Sequence, residues 1–476
     1  MRRIIPLVFG LALLFFSCQR EGDVVAEKNP DTKISLDAIN LTGEDRLNSV
    51  VSLSWMGTDN DGYVLGYEIS YDQNTWYYTT SNDSTFTFLL EAGSDTTDID
   101  FYLRSVDNDG LKDQTPAYLS IPLKNTPPVA TIVSSSFPND TANCVFTFEW
   151  DATDLDGDES IIAAYIKVND GDWFEIDNNQ NIITLIPTDE TASGAVDANV
   201  YYGTNMNPLN DVIDGLRLND TNTVYVKVMD LANSESEPDT SSTVFVKPRT
   251  ADLLVISGQS QATANIYRNA LNQVYPNYDF INYNINTGEN QPKFWNPTFQ
   301  HLINLYDKIF IHGDGTIFTN PINSQTDILI GYAAPFIQNF VTNGGKSLII
   351  STFSSNNDLT NIATVMPFDS ISSSNGLAVF EPDSSLIPLY GSYPTMNPNN
   401  FMIGVYPFYP TADATPMYRA EITSQSGWSG PDIMAASRST GNNTYQVFFT
   451  APLYQIGTDS ERQDLLDQIL NNDFNW

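Results

Sequence analysis

Short runs of alternating apolar and polar residues fill the first half of the chain. In VVSLSW (50–55) the residues Val51, Leu53 and Trp55 fall on one face of an extended strand. In YVLGYEIS (63–70) the period of two places Tyr63, Leu65, Tyr67 and Ile69 together. FYLRSVD (101–107) and AYLSIPL (117–123) continue the pattern, with Gly, Asn and Asp between the runs. Closely spaced short strands of this kind predict an all-β sandwich over residues 33–125. KNTPP (124–128) ends it, because paired prolines do not fit a central strand. A second sandwich is expected over 126–248, with CVFTFEW (144–150) directing Cys144, Phe146, Phe148 and Trp150 to one face.

After KPRT (247–250) the period changes. DLLVISG is a continuous apolar strand, and QATANIYRNALNQVYP carries Ile266, Ala270, Leu271 and Val274 at helical spacing. YDFINYNI, KIFIHG, KSLIIST and YQVFFTAPLY read as further strands. TFQHLINLYD, DILIGYAAPFIQNFVTNGG and ERQDLLDQIL read as helices, the second closed by Gly344 or Gly345. Buried strands alternating with helices predict an α/β domain over 250–476 with a mainly parallel sheet covered on both faces.

The first half repeats itself. WMGTDNDG (55–62) and WDATDLDG (150–157) place Trp55 and Trp150, like Asp61 and Asp156, 95 positions apart. Tyr67 is expected to answer to Tyr165, and Trp76 to Trp173. Later, FYLRSVD answers VYVKVMD (224–230) at an offset of 123, so the second copy holds an insertion, placed at 187–216. The tryptophan-ended strand, the D-x-D-G turn and the tyrosine-bearing strand after it make both copies resemble fibronectin type III or immunoglobulin-like modules. The helix, NGG, buried strand and late VFFTAPLY of the C-terminal region resemble the class I glutamine amidotransferase-like fold, a flavodoxin-like arrangement. The chain as a whole is therefore expected to be multidomain, two all-β sandwiches followed by this α/β domain.

Composition fits 476 residues in several globular domains, 41% hydrophobic and 17% charged. Charge adds an exclusion: 21 Lys+Arg against 58 Asp+Glu give a formal −37, which repels nucleic acid and anionic lipid. The N-terminus places the protein. MRRIIPLVFGLALLFFSCQREGD has two arginines, an apolar run over 4–16 that is too short to span a bilayer, and Cys18 after Ser17. This resembles the signal peptide and lipobox of Bacteroidetes-type lipoproteins, with Phe15 and Phe16 at positions where that motif favours leucine and a small residue. The resemblance implies a signal peptide at 1–17, lipid on Cys18, a tether over 18–32 and residence in the outer membrane, facing the periplasm or the outside. Lipid on Cys18 leaves Cys144 without a disulfide partner, as a buried structural thiol.

Chemistry is sparse. Active members of the amidotransferase family carry a cysteine after the strand that follows the GG helix, with a histidine beyond it. Here Ser351 and Thr352 stand in that region, the domain has no cysteine, and both histidines, His301 and His312, come earlier in the chain. Neither a Cys–His nor a Ser–His pair is expected to form. GWSG (427–430) departs from G-x-S-x-G and reads as a loop. HGDGT (312–316) and ISGQSQ (256–261) end strands at the carboxyl edge of the sheet, where open α/β sheets bind ligands. They make Ser257, His312, Gly313, Asp314 and Ser351 the candidate crevice, unless the glycines serve only to turn the chain.

The acidic turns admit two readings. DNDGYVLGYE and DLDGDE lack the glycine and glutamate spacing of an EF-hand. Asp59, Asp61, Asp154, Asp156, Asp158 and Glu159 are either candidate calcium ligands completed from another loop or ordinary Asp-Gly turns. No other cofactor is expected. The expected role is a non-catalytic, lipid-anchored envelope protein whose β-sandwich stalk presents the α/β domain to a glycan or protein partner. The alternatives are an extracellular hydrolase with accessory β modules and a purely structural lipoprotein.

Overall fold

A computed structural model describes residues 26–35, 47, 50–88, 90, 92–284, 290–353, 357–371, 377–424 and 428–475. The expected signal peptide, Cys18 and the first part of the expected tether lie outside these residues. Among the described residues no helix is long and apolar enough to cross a membrane.

The chain divides into two compact units, 1–126 and 127–476. In the first, Asp31–Ser35, Val50–Thr58 and Asp83–Thr87 form one antiparallel sheet. Tyr77–Thr79, Val64–Ser70, Thr96–Asp107 and Ala117–Lys124 form the other. Val51, Leu53 and Trp55 meet Tyr67, Ile69, Phe101 and Ile121 in a single core, so two sheets, three strands and four, enclose it as a sandwich. Expectation fails at one strand. Tyr67 and Ile69 are buried, but Tyr63 and Leu65 are exposed, at 64% and 53%. A bulge between Val64 and Gly66 in the pairing with Thr96–Asp107 inserts one residue and reverses the facing before it. The first strand begins at Asp31, with Thr32 buried and its hydroxyl bonded to Ser105 Oγ at 2.8 Å, so structure starts inside the expected tether.

The second sandwich repeats this plan with additions. Phe146–Thr153 pairs with Ile182–Pro187, which pairs with Gly194–Tyr202 and then Val212–Leu218, so the expected insertion is a hairpin that widens one sheet. The register also corrects the repeat. Arg104 lies opposite Glu68, and its counterpart Lys227 lies opposite Tyr165. Tyr165 therefore corresponds to outward-facing Glu68, not to the core residue Tyr67. Two extra residues in the second copy, within the 3-10 turn Asp158–Ser160, change the offset from 95 to 97. On the same outer face the Arg104 guanidinium sits 3.9 Å from the Trp76 ring, and Lys227 lies 4.8 Å from Trp173.

One mixed sheet organises residues 250–476. Its parallel part runs in the order Asp279–Asn282, Leu253–Ser257, Lys308–Gly313, Lys346–Ser351, Asn443–Phe449. Ile433–Thr440 joins antiparallel and leads into short strands from the 368–420 region. Helices Gln261–Val274 and Leu329–Thr342 are placed as their periodicity predicts. Gly344, at φ 96°, follows the second. Asp459–Asp467 starts with a capping box between Thr458 and Glu461.

The second sandwich and this domain share a core. Val145 and Ile186 cluster with Leu302, Tyr306 and Ile309, and Thr298 Oγ1 bonds Thr147 Oγ1 at 2.6 Å. Cys144 belongs to that cluster and not to the face of Phe146, Phe148 and Trp150, because its φ of 60° turns the chain before the strand begins. Burial pushes its thiol up to about 12, consistent with an inert packing residue.

Candidate functional site

The parallel strands bring the predicted crevice residues together. Ser257 lies opposite His312 and Gly313 opposite Ser351, at the carboxyl ends of three adjacent strands. The place is filled, however, and not open. Ser257 and His312 are fully buried, and Ser351 is 2% exposed. The His312 ring lies 4.4 Å from Tyr267, and its Nδ1 is 3.1 Å from Gln259 Oε1. With that carbonyl oxygen accepting, the proton sits on Nδ1, and Nε2 has no partner among the described residues. Desolvation depresses the imidazole to about 3, so it is neutral. Leu329, the first residue of its helix, packs over Gly258 and Gly313; a Cβ at Gly258 would stand 2.9 Å from its Cδ2. Asp314 turns onto its own loop, accepting from the Thr316 backbone N–H at 3.0 Å.

The same packing bears on catalysis. Ser351 is buried beneath the sheet edge, while the second histidine, His301, packs against Tyr201 of the sandwich with ring centroids 4.4 Å apart. Burial depresses His301 to about 4, opposed by a hydrogen bond from the imidazole to the Asn205 backbone carbonyl. Each imidazole is occupied by packing, and neither faces Ser351.

The acidic turns satisfy themselves. Asp154 accepts from the Asp156 backbone N–H at 2.8 Å and from Ser160 Oγ at 2.7 Å, while Asp158 accepts from the Asp154 N–H at 2.9 Å. Burial first, then the nearby Asp156 and Asp230, raise Asp154 above the ordinary carboxylate range, with its two hydrogen bonds opposing. Asp156 is buried, whereas Asp158 and Glu159 point to solvent. In the first module Asp59 accepts from the Asp61 N–H at 3.4 Å, and Asp61 accepts from the Lys28 N–H at 3.0 Å. Among the described residues no group of three His, Cys, Asp or Glu is arranged to hold a metal ion. The geometry fits the turn reading better than the calcium one. Melting curves in millimolar calcium and in chelator are expected to overlap, and a calcium-dependent rise in Tm would overturn that assignment.

An open site lies elsewhere, in a groove of about 640 Å³. The hairpin Ile317–Thr319/Thr326–Ile328, which follows the strand ending at Gly313, forms one wall with the start of helix Leu329–Thr342. The segment around Trp295 forms the other. Trp295 and Tyr332 stack at 4.6 Å with planes 7° apart, and Tyr332 Oη donates to the Gln325 carbonyl at 2.7 Å. Asn296, Asn320, Asn323, Gln325 and Asn361 place side-chain amides around it, with Asp327 at the wall. Sequence reasoning missed this site because its residues come from three separated stretches without a motif. The density of Asn and Gln across 320–325 was the only available signal.

A second cleft, about 410 Å³, is lined by Arg438. That guanidinium already donates to the Val365 carbonyl at 2.6 Å and pairs with Asp413 at 2.8 Å.

No family model matches the chain, and no curated protein does. Among solved structures it is similar to fibronectin(III)-like modules of Clostridium thermocellum CbhA, at 17% identity over 45% of this chain and 94% of that one, with a TM-score of 0.18. The chicken CNTN1 FN1–FN3 domains are similar at 12% identity over 47% and 68%, with a TM-score of 0.21. The tandem sandwich architecture stands on the sheets and cores described above.

Proposed function

We propose that this chain is a non-catalytic, lipid-anchored protein of the bacterial outer membrane, whose sandwich modules present the C-terminal domain to a glycan or protein partner. The observation that carries the non-catalytic part is the closed sheet edge: His312 lies between Tyr267 and Gln259, and Ser351 is buried beside it. A nucleophile and base need mutual reach and access to substrate, and this packing removes both. The parallel strand order, second strand outermost, then first, third, fourth and a fifth, supports a flavodoxin-like and amidotransferase-like fold used without that family's chemistry.

Anchoring rests on the lipobox-like stretch ending at Cys18, and the −37 charge argues against nucleic acid as a partner. The test is expression of the full chain with metabolic palmitate labelling. The wild type is expected to take up label and sediment with membranes, whereas Cys18→Ser is expected to be unlabelled and released. Equal membrane retention of the two forms would remove the anchor from this assignment.

A further inference from the structure

We propose that the groove beside Tyr332 binds a neutral glycan, an assignment that rests on the binding role above and names its ligand. The volume, about 640 Å³, falls within the range of small-molecule sites, about 300–1,000 Å³. Its wall is aromatic where a sugar needs it. Trp295 covers one face of Tyr332 and is itself 5% exposed, while Tyr332 stays partly exposed, so a rigid ring is held from behind. A pyranose presents a face of C–H groups that packs on such a ring, and its hydroxyls project sideways to the rim.

The rim matches those hydroxyls. A carboxamide carries donor and acceptor in one plane, and a hydroxyl also does both, so amides read vicinal hydroxyls without charge. Asn296 and Asn361 are exposed, and their side chains make no hydrogen bond among the described residues. Asn320 and Asn323 are held by their own loop, accepting from the Ile322 N–H at 2.9 Å and the Gln325 N–H at 3.0 Å. The rim is thus partly preset before a ligand arrives, which lowers the ordering cost of binding. The buried indole N–H of Trp295 is a further donor without a partner.

Charge selects within glycans. Asp327 lies against Gly331, where a Cβ would come within 2.2 Å of the carboxyl atoms, and the whole chain carries −37. Polymers of uronic acids are therefore disfavoured and neutral ones admitted. An acidic or basic peptide would call for charged walls, whereas apart from Asp327 and Lys293 the groove is lined by neutral residues, amides and aromatic rings prominent among them.

The test uses the full mature chain and tryptophan fluorescence with cellohexaose, xylohexaose, laminarihexaose, maltohexaose and a galacturonate hexamer. At least one neutral hexasaccharide is expected to bind saturably, and the galacturonate is not. Tyr332→Ala is expected to weaken binding at least tenfold. Asn296→Ala and Asn361→Ala, both at exposed positions, are expected to weaken it about threefold or more with unchanged Tm, which separates loss of contact from loss of fold. Failure of all four neutral sugars, or equal binding by the asparagine variants, overturns the site while leaving the non-catalytic envelope role intact. Shortened sugars in the same samples, read by chromatography, would instead overturn the non-catalytic role.

Discussion

A fragment of residues 250–476 is expected to be several kcal/mol less stable than one of residues 127–476, and to expose hydrophobic surface. Removing the second sandwich uncovers the side of the C-terminal domain that holds Leu302, Tyr306 and Phe299, which now pack in one core with Val145 and Ile186. Each such side chain contributes about 1.5–3 kcal/mol when fully buried, so two or three newly exposed ones are a large share of a typical domain's stability. The break also leaves Thr298 without Thr147 and His301 without the Tyr201 ring. Asp252 would also lose Arg249, its ion-pair partner at 3.1 Å. Calorimetry of the two fragments decides the matter. One cooperative transition is expected for 127–476, and equal melting temperatures for both fragments would show that the shared core is energetically idle.

The second large effect is on pH. His301 and His312 have folded pKa values of about 4 and about 3, below the roughly 6.5 of the unfolded chain. For such depressed groups the unfolded chain binds protons that the folded chain refuses. Their stabilisation is therefore complete above about pH 6.5 and is lost as pH falls toward the folded values, by about 1.4 kcal/mol per pH unit for each imidazole. Asp154 and Asp327, whose burial raises them, act in the opposite sense, losing their contribution as pH rises through their folded values. They are common to wild type and histidine variants, so they cancel in a difference. His312→Phe keeps a ring against Tyr267 but leaves Gln259 Oε1 unpaired. It is expected to lower stability at pH 7.5 and to flatten the loss between pH 6.5 and 4.5. Denaturant titrations at several pH values measure both, and a parallel pH profile for the variant would sink the account.

Much of the architecture was legible in the pattern alone. Val51, Leu53 and Trp55 face the core as alternation predicts, and each strand of the C-terminal parallel sheet falls within a stretch read as a strand. The misses share a cause: a one-dimensional period assumes an unbroken ladder. The bulge at Val64/Gly66 turned Tyr63 and Leu65 outward, and the two added residues near Asp158 moved Tyr165 from the expected inner position to the outer face. Thr147 looks like a solvent-facing residue of an alternating strand, yet is 2% exposed because another domain covers it.

The candidate site was less legible. Strand register does bring Ser257, His312, Gly313 and Ser351 together. Whether such a cluster is a crevice or a packed layer depends on what lies above it. Tyr267 and Leu329, far apart in sequence, fill that place. The open groove has the converse history, since Trp295, Asn323 and Asn361 carry no shared motif and meet only through the fold. The sequence by itself determined the repeated modules, the switch from a period of two to buried strands and helices, the acidic surface and the lipobox-like N-terminus, because each is written in local spacing or composition. Tertiary structure alone decided which polar residues are buried, which sandwich is fused to the C-terminal domain and where a ligand has room, because those depend on contacts between residues that the chain keeps far apart.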